Sequence, residues 1–118
     1  MSKFYHLASC TTCQRIIKEL ALGPEVAMQE IKTEPITAVQ IEEMHALAGS
    51  YEALFSRRAM KYRAMGLHEK ELTEDDYKSL ILEEYTFLKR PVLIHDGQIY
   101  IGNTKKVVAA AKLALHGE

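Results

Sequence analysis

An α/β fold with a mixed sheet of about four strands is predicted for this 118-residue chain by three features. First, an apolar, aromatic run, Phe4-Tyr5-His6-Leu7-Ala8, leads into Cys10-Thr11-Thr12-Cys13 and then into Ile16, Ile17 and Leu20 at helical spacing. That is the pattern of a strand, a turn and a helix. Second, two apolar runs, Arg90-Pro91-Val92-Leu93-Ile94 and Gln98-Ile99-Tyr100-Ile101, flank Asp96-Gly97, a strong hairpin signal. Third, the stretch between these halves, about 37–87, carries helical patterns throughout.

Taken in order, residues 3–8 form the first strand and 11–22 the first helix, stopped by Gly23-Pro24. Val26, Met28 and Ile31 suggest a second strand over 26–31. Thr37, with Gln40 three residues on, forms a capping box for a helix with the stripe Ile41, Met44, Leu47, Ala48, ended by Gly49. Residues 51–66 are helix-prone and basic, and Gly66 punctuates them. Thr73-Glu74-Asp75-Asp76 puts acidic groups at a helix start, where the macrodipole favours them, and this helix runs on through Tyr85. A last helix opens after Gly102-Asn103-Thr104 and ends near Leu115. The resulting order, β-α-β-α-α-α-β-β-α, has a parallel βαβ half and a ββα half. This is the thioredoxin-type arrangement with a helical insertion at about 37–87, in a single domain spanning 1–118. The alternative is an α/β domain of other topology.

Composition narrows the function classes. Apolar residues are 47% and charged residues 26%, as in soluble globular domains. A formal net charge of −1 gives no global electrostatic case for nucleic acid or an acidic membrane surface. The N-terminus lacks the apolar core of a signal peptide, and no apolar run approaches the ~20 residues of a membrane span. A cytoplasmic location is the expectation. In that reducing setting a lone cysteine pair reads as redox-active or metal-binding rather than as a staple.

The chemistry centres on Cys10 and Cys13, the two cysteines of the chain. The thiolate is the nucleophile, and a free cysteine has a pKa of about 8.5. Cys10 falls in the strand-to-helix turn, where unpaired amides and the helix dipole stabilise an anion, and Thr11 and Thr12 add hydroxyl donors. Cys13 lies one turn further on, within reach of a mixed disulfide on Cys10. The opposing reading is two buried cysteines acting as small hydrophobes. A zinc site would need four ligands. There is no second Cys-x-x-Cys, and His6, His45, His68, His95 and His116 are not at ligand spacing, so no metal is expected.

Several stretches together resemble the ArsC/Spx family: Cys10-Thr11-Thr12-Cys13, Leu54-Phe55-Ser56-Arg57-Arg58, Leu72-Thr73-Glu74-Asp75-Asp76-Tyr77, Leu88-Lys89-Arg90-Pro91-Val92-Leu93-Ile94 and Ile101-Gly102. The resemblance covers nearly the whole chain. It implies a thioredoxin-like fold, a cis Pro91 facing the active cysteine, and Arg90 beside the redox site. There a guanidinium stabilises a thiolate or grips an oxyanion. It further implies a thiol-disulfide oxidoreductase that reduces a small oxyanion, arsenate, or a disulfide. No cofactor is bound, and glutathione/glutaredoxin or thioredoxin acts as external reductant and redox partner. Arg15, Arg57 and Arg58 are candidate sources of positive charge for an oxyanion or a partner surface.

The arsenate reductases of the family use one catalytic cysteine and several arginines. In this chain Gln14 follows the Cys-x-x-Cys, Glu52 falls near the position of one such arginine, and Lys105 and Lys106 stand near another. Lysine does not reproduce a bidentate fork. The Cys-x-x-Cys is closer to Spx proteins, in which the pair is a disulfide switch. That alternative implies a redox-sensing regulator that binds the C-terminal domain of the RNA polymerase α subunit, with Gly49 and Ser56-Arg57-Arg58 near the interface. The basic set Arg57, Arg58, Lys61, Arg63 also reads as an ordinary solvated helix face.

Overall fold

The computed structural model describes residues 2–117. Its elements are β1 (Ser2–His6), α1 (Thr11–Leu20), β2 (Val26–Glu30), α2 (Ala38–Ala48), α3 (Met60–Ala64), α4 (Glu74–Glu83), β3 (Val92–His95), β4 (Gln98–Ile101) and α5 (Lys105–His116). Short 3-10 turns lie at Glu52–Leu54, Leu67–Glu69 and Tyr85–Phe87. The element order is the one the sequence predicts, and the four-stranded mixed sheet is thioredoxin-like. The chain divides into two compact units, one of residues 1–34 with 90–118 and the other of residues 35–89. The second unit brackets the expected insertion.

In the first unit the strand order is β2-β1-β3-β4. β1 runs parallel to β2, with Phe4 opposite Met28 and His6 opposite Glu30. It runs antiparallel to β3, which pairs antiparallel with β4. Phe4, Val26 and Leu93 of the strands pack with Ile16 and Leu20 of α1 and Val108 and Ala111 of α5. Fully burying each large side chain of that set contributes about 1.5–3 kcal/mol. The hairpin turn has Asp96 at φ 48° and Gly97 at φ 77°. Two successive left-handed residues match the twist of the flanking strands, which is why Asp-Gly serves here.

In the second unit α2 begins with the predicted capping box. Thr37 Oγ1 accepts from the Gln40 amide at 3.1 Å, and Gln40 Oε1 accepts from the Thr37 amide at 3.0 Å. Thr73 and Asp76 repeat the arrangement at the start of α4. Ile41, Met44, Leu54, Phe55, Tyr77, Ile81 and Phe87 are buried.

Element ends differ from the expectations for physical reasons. β1 stops at His6, because Leu7–Cys10 forms a tight turn closed by the Cys10 amide donating to Leu7 O at 3.0 Å. α1 ends at Leu20 rather than 22, since Ala21 adopts the left-handed conformation at φ 49° and its amide turns back to Lys18 O. Residues 51–66 are not one helix. Phe55 is extended and forms a bridge with Leu88, flanked by the Ser56 amide donating to Phe87 O and the Lys89 amide to Leu54 O. Only the five residues of α3 remain helical beyond it. α4 stops at Glu83, because Glu84 leaves helical geometry and accepts from the Thr86 amide and hydroxyl and from Lys61 Nζ.

Candidate active site

The turn Leu7–Cys10 delivers Cys10 to the N-cap position of α1, with extended backbone at φ −88° and ψ 112°. No side-chain oxygen caps the helix and its first turn carries no acidic residue, so its leading amides are available to an anion. Both cysteines are free thiols. Cys10 is half-buried and Cys13 is fully buried, on the same face of α1 as Ile16 and Leu20.

These placements separate the two thiols. Burial pushes the Cys10 thiol up. The Cys13 amide and thiol, the Thr12 amide and the Arg90 charge outweigh it and hold Cys10 below the ordinary thiol value. Cys13 goes the other way. Burial, with the neighbouring Cys10 adding to it, pushes it up to about 11, against the opposing pull of the Leu7 amide and Arg90. The site therefore favours the thiolate at Cys10 and opposes it at Cys13.

Of the residues singled out from the sequence, the fold brings together Cys10, Cys13, Thr12 and Arg90. Arg90 is half-buried, and its charge acts on both thiols. The Arg90-Pro91 peptide is cis, and Pro91 is buried. Thr11 and Arg15 are exposed on α1. Arg57 and Arg58 belong to the other unit. There Arg57 Nη2 donates to Glu52 Oε2 at 2.7 Å and to the Tyr77 hydroxyl at 2.9 Å, while Arg58 is exposed. Lys61, next in that basic set, pairs with Glu84 at 2.6 Å. Among the described residues no group of three or more His, Cys, Asp or Glu could hold a metal ion, and no helix is long and apolar enough to cross a membrane.

Two further residues at the site, to which the sequence alone assigns no role, are Glu30 and Gln14. Glu30, at the end of β2, accepts through Oε2 from the Ala8 amide at 2.8 Å. Through Oε1 it accepts from the amides of Lys32 and Thr33 and from the Thr33 hydroxyl. Gln14 Nε2 donates to Ala8 O at 3.2 Å. The one sequence signal for Glu30 is a carboxylate closing a strand just before Lys32-Thr33, a local acceptor of turn amides. Its reach back to Ala8 depends on the pairing of β1 with β2 and is not written in local sequence.

The amides of Ala8 and Thr33, helped by the Thr33 hydroxyl and the Lys32 amide, hold the Glu30 carboxyl down to about 2. An unfolded chain returns it to about 4.3. Its contribution to stability is therefore complete above that ordinary value and is lost as pH falls through the folded one. In denaturant titrations between about pH 5 and pH 2, Glu30→Gln is expected to flatten the acid dependence of stability relative to the unaltered protein. An unchanged slope would show that the carboxylate does not hold this turn.

A parallel βαβ unit with Cys-x-x-Cys at the helix start, joined to a ββα unit preceded by a cis proline, makes this a thioredoxin-like protein. The ArsC family matches residues 5–111, and the chain belongs to that family. Among solved structures, a "possible arsenate reductase" of Streptococcus mutans is 28% identical with a TM-score of 0.69, covering 89% of this chain and 92% of that one. An arsenate reductase from Vibrio cholerae is 15% identical with a TM-score of 0.78, covering 93% and 96%. An arsenate reductase (ArsC) related protein from Brucella melitensis is 18% identical with a TM-score of 0.70, covering 92% of each chain. A comparison with curated proteins found no match.

Proposed function

We propose that the chain is a thiol-disulfide oxidoreductase in which Cys10 is the nucleophile and Cys13 the resolving thiol. The observation that carries this reading is the opposite displacement of the two thiols, Cys10 downward and Cys13 up to about 11. With a disulfide substrate, the Cys10 thiolate attacks one sulfur and expels the other as a thiolate. Cys13 then gives up its proton and attacks Cys10 Sγ, releasing the second substrate thiol and closing the Cys10–Cys13 disulfide. Two protein thiols lose two electrons and the substrate gains them. Glutathione with glutaredoxin, or thioredoxin, returns the dithiol by the reverse exchange.

Arsenate is the oxyanion we assign to the same centre, supported by family membership and by the Vibrio cholerae arsenate reductase of similar fold. Cys10 displaces water from arsenic(V). Attack by Cys13 on Cys10 Sγ then leaves the electron pair on arsenic, which departs as arsenic(III). Arg90 supplies the positive charge beside the reacting sulfur. An arsenate-reduction assay coupled to glutathione and glutaredoxin, run beside a low-molecular-weight disulfide, tests both arms. Turnover of arsenate supports the oxyanion reading. Turnover of the disulfide alone restricts the protein to thiol-disulfide exchange, and turnover of neither overturns the enzyme reading.

Removing the Arg90 charge destabilises the thiolate. Arg90→Leu is expected to raise the Cys10 midpoint by about half to one pH unit, read by ultraviolet thiolate absorbance. No change would remove Arg90 from the reacting group.

An Spx-like redox regulator is the second reading, since a pair able to form a disulfide also serves as a switch and Arg58 is left exposed. It requires a redox-dependent complex with the C-terminal domain of the RNA polymerase α subunit. Failure to form that complex in either redox state ends it.

A further inference from the structure

Cys10 is carried by a turn whose two central residues, Ala8 and Ser9, are exposed. Inside the turn the Cys10 amide donates to Leu7 O at 3.0 Å, and the Leu7 amide faces the Cys13 thiol. Both reacting sulfurs therefore depend on where this turn sits. Two side chains outside the Cys-x-x-Cys pair hold it at a single residue. Glu30, on the neighbouring strand β2, accepts from the Ala8 N–H at 2.8 Å. Gln14, on α1, donates to the Ala8 C=O at 3.2 Å. An exposed turn residue normally gives both backbone groups to water. Here both are taken, in opposite senses, by one side chain from β2 and one from α1.

Glu30 is itself fixed. Its other oxygen accepts from Lys32 N, Thr33 N and Thr33 Oγ1 at 3.0, 2.8 and 3.0 Å. The carboxylate thus joins the turn after β2 to the turn before α1, and it needs both oxygens as acceptors to do so. Glutamine keeps the size but presents one acceptor and one NH₂, so one side of the joint faces a donor. The ionisable neighbour across the strand pair is His6, opposite Glu30 in register. Burial holds His6 below its ordinary value, against the pull of Glu30.

We propose that Glu30 and Gln14 are positioning residues for the Cys10–Cys13 chemistry, clamping the Ala8 backbone from both sides so that Cys10 stays against the leading amides of α1. This rests on the thiol reading above. It also gives a role to Gln14, which stands directly after the Cys-x-x-Cys. Without the clamp, Cys10 moves away from the amides of Thr12 and Cys13, and its thiolate loses the groups that favour it.

The test is the pH dependence of Cys10 alkylation by iodoacetamide in the full-length reduced protein, for the unaltered chain, Glu30→Gln, Gln14→Ala and the double variant. Gln14 is exposed, so its truncation leaves the core intact. Each single variant is expected to raise the Cys10 midpoint by about half a pH unit, roughly a threefold loss of thiolate well below the midpoint. Because both act through one residue, Ala8, the double variant should shift by less than the sum. A Cys10 midpoint unchanged in either single variant, with the unaltered protein still titrating low, overturns the clamp while leaving the thiol reading in place. A midpoint at the ordinary thiol value in the unaltered protein overturns the thiol reading itself.

Discussion

Replacing Cys10 with serine is expected to reduce the turnover of a low-molecular-weight disulfide by roughly a thousandfold or more, because a hydroxyl at neutral pH offers almost no anion and no sulfur for exchange. Cys13→Ala is expected to fail differently. Cys10 keeps its nucleophile, attacks, and stops at the mixed disulfide, because no second thiol displaces the adduct. Incubation with oxidised glutathione followed by mass spectrometry should therefore find one glutathione on Cys10 in Cys13→Ala and none in Cys10→Ser. Equal adduct formation on Cys13 in the Cys10→Ser protein would reverse the two roles. The physical basis is burial. Cys13 has no exposed surface and its thiol is held up to about 11, so it is expected to react only with a sulfur brought to it by its neighbour.

The second large effect is in the helical unit. Phe55 is fully buried, stacked on Phe87 at 5.0 Å and tilted against Tyr77 at 4.9 Å, with the edge of Tyr62 at 5.9 Å. Phe55→Ala removes the ring common to all three pairs and leaves a cavity. A loss of about 3–5 kcal/mol is expected, a large share of the roughly 5–15 kcal/mol total of a domain. Urea unfolding followed by circular dichroism should show a lower midpoint at unchanged slope. A loss below about 1 kcal/mol would contradict the packing described for this cluster.

Some of this was legible in the sequence and some was not. Asp96-Gly97 specified its hairpin because two left-handed residues are a local property. Thr37 with Gln40 specified the start of α2 because a capping box is complete within four residues. The Cys-x-x-Cys stood out because strand, turn and helix signals converge on it. The stretch 51–66 misled because its helix-forming residues include Phe55, whose extended conformation answers to Leu88, far along the chain. Tertiary pairing there overrides propensity. The roles of Glu30 and Gln14 at the turn are likewise absent from the local sequence, although Gln14 stands out as the residue that follows the Cys-x-x-Cys. Their meeting point at Ala8 is created by the parallel pairing of β1 with β2 and by the return of Gln14, in the first turn of α1, to the Ala8 carbonyl. Arg57 is legible in the sequence only as one of a basic set, and its partners Glu52 and Tyr77, in the same unit, are set by tertiary packing.

The central claim is that the fold divides the labour between two thiols, and pH-dependent alkylation of the reduced, unaltered protein tests it most directly. Peptide mass spectrometry reads each cysteine separately. The expected result is a Cys10 midpoint below the ordinary value of about 8.5, with Cys13 resisting the reagent until far more alkaline pH. A Cys10 midpoint at or above that value, or Cys13 reacting first, contradicts it.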